Sequence, residues 1–275
     1  MGYNSNMRKT RVGVFVLCAL LWAGQAFAWA FAVCGDSRDD RNGVFPRILS
    51  AVDDSDMEFL IHTGDLVRDG TDAEWEAFRG ITASFRKPLY VAVGNHDVRK
   101  GTRDGFARRF GLSGTNHSFR HKDAHFAIVD NAGGALTEDT LAWLDRDLAA
   151  HPAGKDGVSV IVVAMHVPPR TAGISPHGVV REYDAQSVKL LEILKRHAVD
   201  LLLCSHEHMH HDEVWEGIRV IVSGGAGAPL VLFQRYGYYR IDVEGGKVRG
   251  TFLPVPGGGH SSNRKTYNLE ECPPK

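Results

Sequence analysis

The chain of 275 residues is 43% hydrophobic and 24% charged, the composition of an ordinary globular protein long enough to bury a full core in one domain. Its formal net charge of −1 supplies no positive footprint for nucleic acid, which argues against a nuclease. Fourteen histidines, several of them clustered, are a first indication of metal chemistry.

The N-terminus has the pattern of a secretory signal. Its three parts are a positive region (Arg8, Lys9, Arg11), a short apolar run (Val12 to Ala23) and small residues at a cleavage site (Ala26-Phe27-Ala28). Cleavage would leave residues 29–256 as one domain, secreted or periplasmic and without stable membrane association. An uncleaved anchor helix is the alternative. The sequence leaves the oligomeric state open.

Three apolar segments follow in the first part of the chain, and each predicts a strand that stops at a glycine and a polar residue. They are Trp29 to Cys34 before Gly35-Asp36, Met57 to His62 before Gly64-Asp65, and Leu89 to Val93 before Gly94-Asn95. Helices are predicted near Val44 to Val52 and from Thr71, which heads an acidic first turn. Alternation of strand and helix favours parallel pairing of the strands.

The middle of the chain predicts a hairpin and two further strand and helix pairs. The segments are a hairpin (Ser118 to Arg120, His125 to Asp130), a helix (Thr137 to Ala150), a strand (Val158 to Met165), a helix (Asp184 to His197, with Val188, Leu191 and Leu194 inward) and a strand (Leu201 to Cys204). The two strands end in His166 and in Ser205-His206-Glu207-His208.

The last part predicts short strands and a second, mostly antiparallel sheet. The segments are Glu213 to Trp215, Arg219 to Val222, Leu230 to Phe233, Tyr238 to Val243 and Lys247 to Leu253, with a tight turn at Glu216-Gly217. The predicted fold class is therefore mixed α/β, a two-sheet β-sandwich flanked by helices. Residues 257–275, rich in glycine, serine and proline, predict a loosely ordered tail.

Five strand ends carry side chains that can ligate metals, and the carboxyl ends of strands are where α/β folds build their sites. The candidate ligands are Asp36, Asp65, Asn95, His166, His206 and His208. Each alone has a simple structural explanation, as a turn residue or a core histidine. Together they are more than one ion needs, which favours two divalent ions such as manganese, zinc or iron.

Two such ions suit the hydrolysis of a phosphate ester by a bridging hydroxide, so that no serine or cysteine nucleophile is needed. A separate acid must then protonate the leaving oxygen. His96 is the candidate, with Asp97 beside it to orient the ring. The expected partner is a small phosphoester substrate.

The series Gly35-Asp36, Gly64-Asp65, Gly94-Asn95-His96-Asp97, His166 and His206-Glu207-His208 resembles the calcineurin-like metallophosphoesterase family. The resemblance implies a double β-sandwich flanked by helices and two ions bridged by Asp65. It further implies that Asp36 and His208 hold one ion, that Asn95, His166 and His206 hold the other, and that His96 is the general acid or binds phosphate.

The sequence departs from that family at the first motif, which is usually Asp-x-His and here is Asp36-Ser37-Arg38. Arginine cannot ligate a cation. Arg38 is therefore a candidate for binding a substrate phosphate, or it forms an ion pair with Asp39, Asp40 or Asp69. Position 68, where the purple acid phosphatases have tyrosine, is arginine, which argues against that subclass.

Several further residues have open roles. The irregular segment from Pro168 to Tyr183 is a candidate substrate loop, with Arg170, His177 or Arg181 facing the substrate. His62 is expected in the core, and His210 and His211 in a surface run. Cys34 and Cys204 are expected as buried thiols, a disulfide between them being the alternative, and Cys272 completes an odd count.

The sequence thus predicts an exported, metal-dependent phosphoesterase that hydrolyses phosphomonoesters or phosphodiesters. Because the first motif lacks its histidine, the alternative is a degenerate relative that binds a metal or a phosphorylated ligand without turnover.

Overall fold

The computed structural model describes residues 28–40, 42–170 and 185–255. The strands are β1 (Trp29–Cys34), β2 (Leu60–His62), β3 (Leu89–Val91), β4 (His117–His121), β5 (Ala124–Val129), β6 (Val160–Met165), β7 (Leu201–Cys204), β8 (His210–Trp215), β9 (Ile218–Ser223), β10 (Gly237–Glu244) and β11 (Lys247–Pro254). The helices are α1 (Val44–Asp53), α2 (Asp72–Thr82), α3 (Arg103–Arg109), α4 (Glu138–Ala150) and α5 (Ala185–Arg196).

The strands form two sheets, one of five strands in the order β11-β10-β1-β2-β3 and one of six in the order β4-β5-β6-β7-β9-β8. In the first sheet β1, β2 and β3 are parallel, and in the second β5, β6, β7 and β9 are parallel. Within each sheet, the carboxyl ends of the parallel strands therefore lie at the same edge. The predicted two-sheet sandwich flanked by helices is confirmed.

The prediction of a separate, mostly antiparallel sheet near the end of the chain is wrong. Strands β10 and β11 return to the first sheet, where β10 pairs with β1 in antiparallel register, for example Phe31 opposite Ile241. Strands β8 and β9 extend the second sheet, which is mostly parallel. Pairing between β1 and β10 joins segments from the two ends of the chain, and local patterns do not reveal such partners.

The two faces of each central strand pack into different parts of the core, one between the sheets and one under the helices. Phe31 and Val33 of β1 face the space between the sheets, where they join Phe126 and Val162 of the second sheet. Residues on the opposite face of β1, such as Ala32, pack under α1 and α2, while α4 and α5 cover the outer face of the second sheet. A strand buried on both faces has a continuous apolar sequence, which explains the unbroken runs noted above.

Local capping fixes where the helices begin. Thr71 and Glu74 form a capping box at α2, and Asp40 accepts hydrogen bonds from the backbone N–H groups of Val44 and Phe45 at the start of α1. Asp40 is therefore a helix cap rather than a partner of Arg38. Val188 was predicted on the inner face of α5 but is 46% exposed, and α3 was not predicted.

One predicted strand is a loop in the structure, and several other predictions concern residues that the structure does not describe. Leu230 to Phe233 was predicted as a strand, but it forms a loop in which Phe233 has a φ of 68°. The signal segment, the tail, His177, Arg181 and Cys272 lie outside the described residues, so these expectations stay predictions. In the part of the chain that the structure describes, no helix is both long and apolar enough to cross a bilayer.

Candidate metal centre

The six predicted ligands lie in the loops that follow five strands. Asp36, Asp65 and Asn95 follow β1, β2 and β3 of the five-stranded sheet, while His166 and the pair of His206 and His208 follow β6 and β7 of the other sheet. Contacts between these loops bring the two sets together at one end of the sandwich. The site therefore depends on how the two sheets are stacked.

Four of these side chains form a cluster that we call the Asn95 side, made of Asn95, His166, His206 and one oxygen of Asp65. The Nε2 atom of His166 lies 3.0 Å from Oδ1 of Asn95, 3.1 Å from Nδ1 of His206 and 3.3 Å from Oδ1 of Asp65. Imidazole nitrogens and an amide oxygen converge here with a carboxylate. Such a donor set fits a borderline divalent ion.

The hydrogen bond at the other ring nitrogen of His166 prepares it as a ligand. Its Nδ1 atom lies 2.9 Å from the carbonyl oxygen of Thr63, to which Nδ1–H donates, so that Nε2 keeps its lone pair. Burial lowers the pKa of His166, because the charged ring is disfavoured away from water. The ring is therefore neutral and able to bind a cation.

The second cluster, which we call the Asp36 side, consists of Asp36, His208 and the other oxygen of Asp65. His208 donates from Nδ1 to the carbonyl oxygen of Pro229 at 2.8 Å, which leaves Nε2 facing Oδ1 of Asp36 at 3.6 Å. Oδ2 of Asp36 accepts from the backbone N–H of His206. Its Oδ1 is buried and has no hydrogen-bond partner among the described residues, as a ligand atom awaiting a cation would.

Asp65 lies between the two clusters and has one carboxylate oxygen on each side. Oδ1 accepts a hydrogen bond of 2.9 Å from the backbone N–H of His96, and Oδ2 accepts one of 3.2 Å from Nε of Arg38. Burial opposes the charged form of Asp65, but the surrounding His166, His96 and Arg38 outweigh it and lower its pKa. The guanidinium of Arg38, which is permanently charged, favours the ionised carboxylate.

The backbone at the ligands adopts unusual conformations. Asp36, Asp65, His206 and His208 have φ values of 59°, 59°, 69° and 49°, in the left-handed region that residues other than glycine rarely adopt. Each such residue costs on the order of 1 kcal/mol or more and persists only where its surroundings hold it. Four strained residues among six predicted ligands mark this as a built site.

Residues 30–210 match the model of a family described as calcineurin-like phosphoesterase. This chain belongs to that family. The match spans most of the described residues and both ligand clusters, and it confirms the resemblance inferred from the motifs. Family members use divalent metals, and the two clusters provide groups able to hold them.

Two curated relatives have similar sequences. One, from Arcobacter nitrofigilis, is named as a probable glycerophosphodiester phosphodiesterase and is 27% identical over 187 residues, or 65% of this chain and 66% of that protein. The other is the 3′,5′-cyclic adenosine monophosphate phosphodiesterase of Escherichia coli, 28% identical over 189 residues and 65% of each chain. The matched region thus spans slightly less than two thirds of either relative.

Two solved structures have the same fold. A purple acid phosphatase from yellow lupin seeds superposes with a TM-score of 0.64 at 15% identity, covering 86% of this chain and 53% of that one. A dimetal phosphatase from Danio rerio gives a TM-score of 0.61 at 12% identity, covering 82% of this chain and 99% of that one. At such identities the likeness establishes the calcineurin-like fold alone.

Arg38, where the family pattern has histidine, lies inside the Asp36 side. Besides its contact with Asp65, its NH1 donates to Oδ2 of Asp39 at 3.0 Å and its NH2 lies 3.4 Å from Nε2 of His208. The predicted ion pair with Asp39 is therefore present, in addition to a buried pair with Asp65. A role for Arg38 in binding the substrate stays a prediction.

The expectation that Asp97 orients the ring of His96 is wrong. The Nδ1 atom of His96 lies 2.6 Å from the carbonyl oxygen of Arg68, which fixes the ring. The carboxylate of Asp97 instead accepts four backbone N–H groups, from Asp65, Leu66, Val67 and Gly94. Asp97 therefore holds the loop that carries Asp65 in its conformation, and the ring of His96 is fixed by Arg68 instead.

The other residues singled out in the sequence make contacts of their own. The guanidinium of Arg170 lies 4.9 Å from the centre of the Trp215 ring, a cation–π contact, and its substrate role stays a prediction. His62 is buried and bonded to Ser37, as expected of a core histidine. His210, expected in a surface run, is half-buried and packs on Phe252. Among the described residues Cys34 and Cys204 are buried free thiols, so no disulfide joins them.

Sequence reasoning missed several groups that orient the predicted ligands and His96. Three are backbone carbonyls, of Thr63, Arg68 and Pro229, and these carry no side-chain signal. The fourth is Asn131, whose Oδ1 accepts the backbone N–H groups of His166 and Val167. Its signal was the polar pair Asp130-Asn131 after the apolar strand β5, without the glycine that precedes Asn95.

Proposed function

We propose that this protein is a metal-dependent phosphodiesterase that hydrolyses small phosphodiesters at two divalent ions. The observation that carries the proposal is the position of Asp65, which has Oδ1 3.3 Å from His166 and Oδ2 3.2 Å from Arg38, one oxygen in each cluster. A carboxylate between two groups of ligands is suited to bridge two cations. The Asn95 side would hold one ion, and Asp36 and His208 the other.

Divalent ions bound there would polarise the phosphoryl oxygens and lower the pKa of an attacking water. The chain itself would position the proton donor. His96 is almost fully buried, its ring is fixed by the Arg68 carbonyl, and its Nε2 atom lies 3.9 Å from Oδ2 of Asp65. It is thus placed to hold a phosphoryl oxygen or to give a proton to the leaving oxygen.

The relatives support a diester as the substrate. Both are named for small phosphodiesters, a glycerophosphodiester and a cyclic nucleotide. The sequence alone left monoesters and diesters equally open. The near-neutral charge of the chain supports a small substrate rather than a nucleic acid.

Assays on purified protein test the proposal. We expect bis(p-nitrophenyl) phosphate to be hydrolysed with manganese, zinc or iron added, faster than p-nitrophenyl phosphate, and the activity to vanish with a chelator. Glycerophosphodiesters and 3′,5′-cyclic AMP are the natural candidates to compare. Binding of inorganic phosphate without hydrolysis of any ester, in protein shown to carry metal, would overturn the proposal in favour of the degenerate binding protein.

We also propose that the chain is exported and processed after Ala28. Support comes from the signal pattern of the first 28 residues and from Trp29, the first residue of β1, whose Nε1 donates to Asp123. Cleavage at that point would leave β1 whole. Cell fractionation and the mass of the recovered protein test this, and full-length protein in the cytoplasm would contradict it.

A further inference from the structure

The guanidinium of Arg38 takes up ligand atoms on the Asp36 side. Its Nε donates to Oδ2 of Asp65 at 3.2 Å, and its NH2 lies 3.4 Å from Nε2 of His208. Because Nδ1–H of His208 is committed to the Pro229 carbonyl, Nε2 carries the lone pair, and the arginine N–H donates to it. Both atoms are the ones that an ion on this side would need.

The positive charge of Arg38 is buried inside the Asp36 side. Only 6% of its side chain is exposed, and burial disfavours its charged form, but Asp65, Asp36 and Asp39 more than compensate and raise its pKa. A guanidinium stays protonated in proteins under nearly all conditions. The Asp36 side therefore contains a permanent cation where the family pattern has a neutral histidine.

The Asn95 side is built differently. There the ligand atoms of Asn95, His166 and His206 lie within 3.1 Å of a neighbour in the cluster, with His166 at the centre. The neutral ring of His166 has no cation to displace. An ion bound here meets preformed ligands, whereas an ion on the Asp36 side meets a fixed positive charge.

We propose that Arg38 is a resident cation of the Asp36 side, so that the two ions bind unequally. The ion on the Asn95 side binds tightly, and the ion on the Asp36 side binds only when it displaces the guanidinium from Asp65 and His208. This inference rests on the proposed pair of ions but not on any turnover. Oδ1 of Asp36, which lacks a partner among the described residues, is the ligand atom that remains available to the second ion.

Asp39 can remain paired with the guanidinium of Arg38 after an ion has displaced it from Asp65. Its Oδ2 already accepts from NH1 of Arg38, and its Oδ1 accepts from Arg68. Arg38 can therefore leave Asp65 and keep one ion pair. Exchange of this kind makes occupancy of the second site depend on metal concentration, while the first site stays filled.

Titration of metal-free protein with Mn²⁺ or Zn²⁺, followed by calorimetry and by elemental analysis after gel filtration, tests the proposal. We expect the wild type to retain about one ion per chain and to bind a second at least tenfold more weakly. Arg38→Met removes the charge without adding a ligand and is expected to tighten the second ion at least tenfold. Arg38→His, which restores the family pattern, is expected to tighten it further.

Arg86→Met is the matched control, because Arg86 is exposed and pairs with Asp53. It is expected to bind metal as the wild type does. Two equally tight ions in the wild type would overturn the proposal, as would an Arg38→Met variant whose thermal denaturation shows a folded protein with unchanged second-site affinity. Should Arg38→Met not fold, Arg38→His and the wild-type stoichiometry decide the question. None of these measurements depends on finding the substrate.

Discussion

Gly94 lies against the carboxylate of Asp65. A Cβ atom at position 94 would come within 2.2 Å of both the backbone nitrogen and Oδ1 of Asp65, a distance that real Cβ atoms do not reach. The glycine of the Gly94-Asn95-His96-Asp97 motif thus lets the β3 loop approach the β2 loop. The same approach allows His96 N–H to bond Oδ1 of Asp65.

Gly94→Ala should therefore impair the site through its geometry alone. We expect a loss of about 1–3 kcal/mol in the free energy of unfolding, as for an overpacked core, and metal binding at least tenfold weaker because Oδ1 of Asp65 must move. Gly80→Ala in α2 is the control, since a Cβ there meets nothing within 4 Å. It should stabilise the protein by about 0.5–1 kcal/mol. Urea denaturation and calorimetry measure both, and normal metal binding by Gly94→Ala would contradict the packing argument.

Asp65→Asn should remove both ions, because each cluster loses its shared charge. We expect metal content below one ion per chain by elemental analysis and no measurable hydrolysis. Asp39→Asn is the control, because Asp39 touches Arg38 but none of the ligands in the contacts described above. It should keep the Asn95-side ion. An Asp65→Asn variant with wild-type metal content would show that Asp65 does not bridge.

His96→Ala should separate catalysis from metal binding. General acid catalysis contributes about 10²–10⁴-fold, so we expect turnover of a glycerophosphodiester to fall by that factor with unchanged metal content. The loss should be smaller with bis(p-nitrophenyl) phosphate, because nitrophenolate leaves without protonation. Arg86→Met, which changes an exposed side chain paired with Asp53, is again the control. An equal loss with both substrates would exclude a proton-donating role and leave phosphate binding.

The strand ends and the polar residues that follow them were predictable because the information is local. An apolar run that stops at glycine and an acidic or amide residue is visible within ten residues, and β1, β2 and β3 lie close to the predicted segments. The Leu230 to Phe233 run was misassigned for the same local reason. Its apolar side chains belong to the loop whose Pro229 carbonyl orients His208.

Other features depend on contacts between distant residues. The sheet to which β10 belongs is decided by its register with β1, and the role of Asp97 by four N–H groups that converge on it from two loops. The departure at Arg38 was visible in the sequence. Its consequence was not, because the contacts with Asp65 and His208 span 27 and 170 positions.

A buried network far from the metal ligands gives a prediction about pH. Oδ2 of Asp147 accepts from Nε2 of His125 at 2.7 Å, and Oδ1 accepts from the hydroxyl of Ser118 at 2.6 Å. Burial opposes the charge of Asp147, but these hydrogen bonds outweigh it and hold its pKa below the usual value. A depressed pKa means that the folded protein favours the carboxylate more than the unfolded chain does.

Asp147 therefore contributes stability above the unfolded pKa of about 3.9, and this contribution is lost as the pH falls toward its lower folded pKa. Asp147→Asn should lower the free energy of unfolding at pH 7 by about 1–3 kcal/mol, because hydrogen bonds to a charged group are replaced by neutral ones. The difference should shrink below pH 4, as the carboxylate of the wild type becomes protonated. Urea denaturation at several pH values measures it, with the exposed Asp139→Asn as the control. A difference that does not change with pH would mean that packing of the side chain, rather than its charge, stabilises the protein.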